Sequence, residues 1–227
     1  MTKSIRHLGI IMDGNRRWAR NRGAPVFRGH EAGLKNAERI VRAAFARGIE
    51  CVSLFAFSEE NWQRPPKEVS YLLGLFRKAL QENIARIKKD GVRVCFAGDL
   101  SAFPPDLREL ALQLQENSTA YEHTLILCLG YGGKQEIVRM IQRVLRAEIA
   151  PPDLNVENIR NFLDVPDMPD LDLIIRTSGE RRLSGFLLFA SAYSELYFSP
   201  VLWPDFTPLN LEEAIMDFYA RERRHGK

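Results

Sequence analysis

Short apolar runs alternate with longer amphipathic stretches along the chain. His7–Met12, Cys51–Phe57 (CVSLFAF), Val92–Ala97, Thr124–Leu129 and Leu171–Ile175 are dense apolar runs of strand length, and Glu195–Phe198 reads as a further strand. Such runs suit strands of a parallel sheet covered on both faces. Between them the apolar spacing becomes helical. A helix is predicted at about Gly33–Arg47, with Ile40, Val41, Ala44 and Phe45 on one face, closed by Arg47-Gly48. A longer one covers Val69–Lys89, with Leu72, Leu73, Phe76, Leu80, Ile84 and Ile87 at helical spacing, ended by Asp90-Gly91. Pro104-Pro105 opens a helix to about Glu116, and further helices are predicted at Lys134–Ala147, Val156–Phe162 and Leu211–Arg221. The βα alternation predicts an α/β fold: a single domain over residues 1–227, with a central, mostly parallel sheet flanked by helices. The chain shows no internal repeat, low-complexity tract or linker, and Pro151-Pro152 reads as a loop.

Composition narrows the classes. The 227 residues are 45% hydrophobic and 27% charged, ordinary for a globular protein with one substantial core. A net charge of +3, from 32 basic and 29 acidic residues, gives no argument for a nucleic-acid partner. Cys51, Cys95 and Cys128 sit in or beside apolar runs, at spacings that fit neither a disulfide framework nor a zinc site. No apolar stretch approaches a membrane span and the N-terminus has no signal-peptide core. A cytoplasmic protein is expected, with a peripheral membrane contact left open.

In open α/β sheets, ligands bind beyond the carboxyl ends of the strands. The first strand delivers Asp13-Gly14-Asn15-Arg16-Arg17, and the second Ser58-Glu59-Glu60-Asn61-Trp62 and then Arg64. Later strands deliver Gly130-Tyr131-Gly132-Gly133 and the segment Arg176 to Ser184. Glycines admit backbone amides to an anion, and arginines fork onto phosphate oxygens. A carboxylate among these cations would repel phosphate unless a cation lies between them, which suggests a Mg²⁺-diphosphate at Asp13. Asp13 could equally cap a turn or pair with Arg17, and the residues alone leave both readings open. Trp18 and Trp62 either pack under their loops or line an apolar part of the site. From the residues, the chain is an α/β protein that binds a phosphorylated ligand.

The same clusters carry a resemblance. MDGNRRWA, FRGHEAG, SLFAFSEENWQRP, GYGGKQEI, IRTSGERRLSGFLLF and AYSELYFSPVLWPDF resemble the signature blocks of the cis-prenyltransferases, the family of undecaprenyl diphosphate synthase, in the family's order from about His7 to Gly226. The resemblance implies a Mg²⁺-dependent enzyme that joins isopentenyl diphosphate to an allylic diphosphate with a Z double bond. It implies that Asp13 serves metal binding and catalysis, with Glu195 as a second metal-associated acid. Gly14, Asn15, Arg16, Arg17 and Trp18 would sit at the allylic diphosphate, with His30 near it. Arg176, Arg182 and Ser184 would hold isopentenyl diphosphate. Ser58, Glu59, Glu60, Asn61, Trp62 and Arg64 match a segment that closes over the site, with Asn61 positioning substrate for the proton step, since an amide is a poor base. Arg224 and Gly226 match an ending that reaches a partner subunit, which implies a homodimer. An apolar tunnel is implied too, with Leu72, Phe76, Leu80 and Ile84 as wall candidates, although core packing explains each of them as well.

Departures from the family pattern are local. Arg16 stands where many members have glycine, Ser178 where glycine is common, and Gly130 and Gly185 where asparagine is frequent. Val26 occupies a position often held by arginine, so Arg28 is the expected substitute at the phosphate. Extra residues of long-chain relatives in the helix matching 69–89 are absent, which favours a short or medium product. Two alternatives are weighed: a non-catalytic subunit of a two-component prenyltransferase, disfavoured by the presence of Asp13, Arg176, Arg182 and Glu195, and a phosphate-ester hydrolase, disfavoured by the absence of a D-x-D arrangement after Asp13.

Overall fold

The computed structural model describes residues 4–118 and 122–221, and the side chains of all of these except 83–89. Six strands form one sheet: β1 (His7–Ile11), β2 (Cys51–Ser58), β3 (Val92–Ala97), β4 (His123–Tyr131), β5 (Leu173–Arg176) and β6 (Glu195–Phe198). Their order is β3-β4-β2-β1-β5-β6, and every pairing is parallel. All five residues of β1 and all four of β5 are buried, which explains their unbroken apolar character.

The helices are α1 (Asn15–Asn21), α2 (Val26–Ala46), α3 (Pro66–Lys89), α4 (Pro105–Glu116), α5 (Gly133–Arg146), α6 (Val156–Ile159) and α7 (Pro208–Ala220). Most match the sequence pattern within a few residues. Three features differ. Helix α2 begins at Val26, seven residues before the predicted start, because the glycines of FRGHEAG are packing sites rather than helix breakers. Helix α1, directly after Gly14, was not anticipated; its Arg-rich sequence has little apolar periodicity. The alternation fails between β5 and β6, where residues 177–194 return to the sheet without a helix.

The two faces are built differently. On one, Leu8, Ile10, Val52 and Leu54 meet Ile40, Val41 and Ala44 of α2 and Ile215 and Phe218 of α7, with Trp203 fully buried. Farther along that face, Leu72 and Leu80 of α3 and Leu107 and Leu114 of α4 pack on Phe57, Val94 and Phe96. Leu125 and Leu127 touch both groups. The opposite face packs Ile11, Ile126 and Cys128 against Phe186, Leu187 and Met168. The wall candidate Ile84, and Ile87 beside it, lie outside the described side chains.

A register irregularity at Phe55–Ser58 interrupts the β2–β4 ladder. It turns Phe57 into the α3/α4 core and delivers Ser58 to the edge where the loops meet, the usual consequence of a bulge beside a site.

At the opposite edge, buried His7 bonds Pro169 carbonyl oxygen through Nδ1 (2.7 Å) and Ser53 Oγ through Nε2 (2.7 Å). The carbonyl can only accept, so Nδ1 carries the proton and Nε2 accepts from the hydroxyl. Burial depresses the His7 pKa from 6.5 to about 4, against a smaller opposing effect of the Pro169 bond. The unfolded chain therefore binds a proton below pH 6.5 that the folded chain refuses until about pH 4. Stability from this residue is full above pH 6.5 and declines by about 3 kcal/mol towards pH 4. Urea midpoints taken between pH 7 and pH 4.5 are expected to fall less steeply for His7→Gln than for the unaltered protein. Equal slopes would remove His7 from the acid response.

Candidate active site

Strand β1 lies between β2 and β5, and the chain leaves it towards one side of the sheet and returns on the other. The crevice at such a switch point is where ligands bind in parallel α/β sheets. Here it receives the residues after β1, β2, β4 and β5. Asp13 accepts a hydrogen bond from Arg176 Nη2 at 3.0 Å on its Oδ2. Arg17 Nη2 lies 3.8 Å from the same oxygen and 3.4 Å from Glu180. Asp13 Oδ1 has no hydrogen bond among the described residues. Arg176 is 5% exposed; its Nη1 also donates to the Arg182 carbonyl (2.6 Å) and Ser184 Oγ (2.8 Å), while its buried Nε has no partner. Arg17 donates to both the carbonyl and the hydroxyl of Ser178. Segments 13–17 and 176–184 thus form one ion-pair network across the β1–β5 seam.

The backbone here is constrained. Gly14 has φ 113°, and a Cβ on it would lie 3.0–3.1 Å from Leu202 and Ser178. Ser178 and Ser184 also take left-handed conformations, with φ 77° and 51°. Residues held in this region cost about 1–3 kcal/mol and collect at functional sites. The conformation also explains why position 178 suits glycine: here serine occupies it and uses its hydroxyl to hold Arg17.

Helix α1 is seated by close approach to α2. A Cβ on Gly29 would lie 2.0 Å from the Asn15 carbonyl oxygen, and one on Gly33 would lie 2.4 Å from Asn15 Oδ1. This contact fixes Asn15, Arg16 and Arg17. On the far side, Arg16 Nε (3.7 Å), His30 Nε2 (3.1 Å) and Arg64 Nη1 (3.3 Å) converge on Glu68 Oε1. Burial lowers the His30 pKa below its usual 6.5, with the Glu68 bond opposing it.

A cavity of about 900 Å³ opens between these groups and runs between α2 and α3 over β2 and β4. Its polar wall includes Asp13, Gly14, Asn15, Arg16, Arg17, His30, Ser58, Glu60, Asn61, Arg64, Arg176 and Ser184, twelve of the residues expected from sequence. Its apolar wall includes Leu34, Leu54, Leu72, Phe76, Leu80 and Leu127.

Other expected residues lie elsewhere. Trp18 donates from Nε1 to Asp205 (2.7 Å) and carries Arg22 on its face, so it braces α1 rather than forming the cavity wall. Trp62 packs on Phe57 and Phe103, under its loop. Arg28 is exposed, bonds Glu31 (3.1 Å) and is not part of the cavity wall. Glu59 starts the 3₁₀ turn Glu59–Gln63, and Arg182 reaches out to Glu180 at 2.6 Å. Glu195 needs the largest correction. Leu8 pairs with Leu173, which pairs with Glu195, so Glu195 lies level with Leu8 near the amino ends of the strands. Asp13 is five residues farther along, about 16 Å at 3.3 Å per residue. The two acids of one chain therefore do not meet on one ion; Glu195 bonds Arg221 at 2.8 Å instead. Arg224 and Gly226 lie outside the described residues.

Sequence reading missed Glu68, Arg20, Lys134 and Gln135. The last three line the cavity. The strand-end rule would have found Lys134 and Gln135, which follow Gly132-Gly133 after β4. Glu68 gave no such signal, since an acid in the first turn of a helix is commonplace.

The family model described as "Putative undecaprenyl diphosphate synthase" matches residues 11–226. The chain belongs to this family, the cis-prenyltransferases. An isoprenyl transferase of Helicobacter pylori is 42% identical, with 100% of this chain and 99% of that protein aligned. One of Brucella suis is 45% identical, with 97% and 89% aligned. Among solved structures, lavandulyl diphosphate synthase from Lavandula x intermedia in complex with dimethylallyl diphosphate matches at TM-score 0.93 and 30% identity over 98% of each chain. A probable undecaprenyl diphosphate synthase from Campylobacter jejuni matches at TM-score 0.84 and 33% identity over 100% of each. This prenyltransferase thus keeps the family's fold across its described residues.

The α1–α2 contact gives a direct test. Gly29→Ala must push α1 away from α2, at a cost of about 1–3 kcal/mol. A lowered urea midpoint with prenyl transfer reduced beyond the loss of folded protein is expected; an unchanged midpoint would show that α1 is not held by this approach.

Proposed function

We propose that this prenyltransferase condenses isopentenyl diphosphate with an allylic diphosphate to give a short- or medium-chain Z-polyprenyl diphosphate. The observation that carries this reading is one cavity with a cation-rich, amide-rich mouth and a leucine- and phenylalanine-lined interior. Such a site accepts a molecule that is diphosphate at one end and hydrocarbon at the other.

In the reaction, the allylic C–O bond breaks and the electron pair leaves with diphosphate. The isopentenyl double bond attacks the allylic carbon, and loss of a proton sets the new Z double bond. Stabilising the departing anion is the main demand on the protein. Arg16, Arg17 and Arg64 lie where they can receive it, and Gly14 allows backbone amides to approach. Asn61 spends its Oδ1 on the Ser58 amide (3.1 Å), which leaves its Nδ2 to orient substrate. Arg176 and Ser184, with Arg182, form the isopentenyl diphosphate side.

The donor set suits Mg²⁺, which binds through a carboxylate or two and substrate phosphates. Asp13 would hold it through Oδ1. When bound, Mg²⁺ supplies positive charge to the diphosphate as it departs. Glu195 would serve such an ion only across a subunit boundary. That arrangement would be a homodimer, in which Arg224 and Gly226 would reach the partner's site. Leu72, Phe76 and Leu80 would form the tunnel wall. We place the enzyme in the cytoplasm, where its three buried free cysteines would stay reduced. No described helix is long and apolar enough to cross a membrane, so product release would use a peripheral contact.

Incubation with radiolabelled isopentenyl diphosphate and dimethylallyl, geranyl or farnesyl diphosphate, with and without Mg²⁺, tests the proposal. Mg²⁺-dependent elongation is expected. Phosphate release without elongation, or no reaction, would reject it.

Asp13→Asn keeps a hydrogen-bond acceptor against buried Arg176 while removing the charge. Its kcat is expected to fall on the order of 10²-fold or more, beyond any loss of folded protein, and its melting temperature to drop because buried Arg176 loses its matching charge. Arg182, exposed at the isopentenyl side, gives a softer phenotype: Arg182→Ala is expected to raise KM for isopentenyl diphosphate about tenfold. An unchanged KM would assign that loop another ligand.

A further inference from the structure

Glu68 sits in the first turn of α3 with its side chain 12% exposed. A carboxylate there that only answered the helix dipole would face water. Glu68 instead gathers groups from three other segments. Arg16 comes from α1 (3.7 Å), His30 from α2 (3.1 Å) and Arg64 from the end of the loop after β2 (3.3 Å), all to the same Oε1. These three line the cavity and Glu68 does not. The acid therefore lies behind side chains that line the ligand space. Burying a carboxylate is costly unless it is paired and hydrogen-bonded, so the cluster is fixed by its own desolvation. Arg16 Nε is buried on the Glu68 side and makes no hydrogen bond among the described residues, so the acid holds this guanidinium by charge at 3.7 Å.

We propose that Glu68 is a positioning residue: it aligns Arg16 and Arg64 into a single receptor for the diphosphate of the allylic substrate, with the His30 ring held against its carboxylate. It fixes the His30 ring with Nε2–H directed to the carboxylate and restrains two guanidiniums that would otherwise sample many rotamers. This inference rests on the prenyl-transfer reading for the identity of the anion, and extends it to a residue outside the strand-end loops.

The test uses inorganic pyrophosphate with Mg²⁺, titrated by calorimetry into the full chain, followed by kinetics with both substrates. Glu68→Gln, of the same shape, is expected to weaken pyrophosphate binding about tenfold, the loss of one charge-assisted contact. It should raise KM for the allylic diphosphate by a similar factor and leave KM for isopentenyl diphosphate within twofold. The double variant Glu68→Gln/Arg64→Gln should lose less than the sum of the two single losses, because Glu68 acts in part through Arg64. A purely structural role would move both KM values and give additive losses. Glu68→Asp, which draws the charge back by one methylene, supplies a second variant, with intermediate affinity expected, should Gln fail to fold. Equal or tighter pyrophosphate binding in either folded variant would overturn the inference. Absence of pyrophosphate binding to the unaltered protein would instead overturn the prenyl-transfer reading itself.

Discussion

Strand β1 runs parallel to neighbours on both sides, and this pairing brings Asp13, Ser58 and Arg176 to one edge of the sheet. The three lie far apart in sequence, yet the registers Ile11 with Phe55 and Ile11 with Arg176 carry their segments to the same level. If β1 or β5 ran the other way, its loop would emerge at the His7 edge, and the network between Asp13, Arg17 and Arg176 could not form.

The network also carries a cost. Arg176 is almost wholly buried, so its charge must be matched by Asp13, the Arg182 carbonyl and Ser184. Arg17 and Arg182 are more than 40% exposed, and solvent screens their pairs with Asp13 and Glu180 to small values. The anchoring is therefore done by the buried arginine, while the exposed ones remain available to a ligand. Strained φ values at Ser178 and Ser184 fit the same economy, since the chain is bent there to present donors rather than to maximise stability.

Apolar surface completes the site. Helices α2 and α3 lean on the same face of the sheet but leave a cavity between them, lined by residues that in sequence look like ordinary core. Leu54 and Leu72 belong at once to a packed cluster and to the cavity wall. Core and binding surface are the same residues viewed from two sides, so one amphipathic pattern serves both.

How much of this was legible follows from the range of each interaction. Hydrophobic periodicity is local, and it identified all six strands, the α/β class and most helices. The strand-end rule needs only the class, and it found eleven of the twelve expected residues of the cavity's polar wall, while His30 came from the family resemblance. Close approaches between distant segments have no local signature. The start of α2 at Val26 was not visible because Asn15, which packs on the glycines of FRGHEAG, lies on another helix. Glu68 gave no signal because its three partners come from other segments, and Arg28 was read as a phosphate ligand because the helix that pairs it with Glu31 was expected to begin only at Gly33. Glu195 resembled a companion to Asp13 until the register showed it level with Leu8. The sequence by itself determined the elements, the sheet class and the chemical character of the site, because these depend on residue type and periodicity. Only the tertiary structure decided which charged groups share a space, because that depends on strand order, register and the approach of one helix to another.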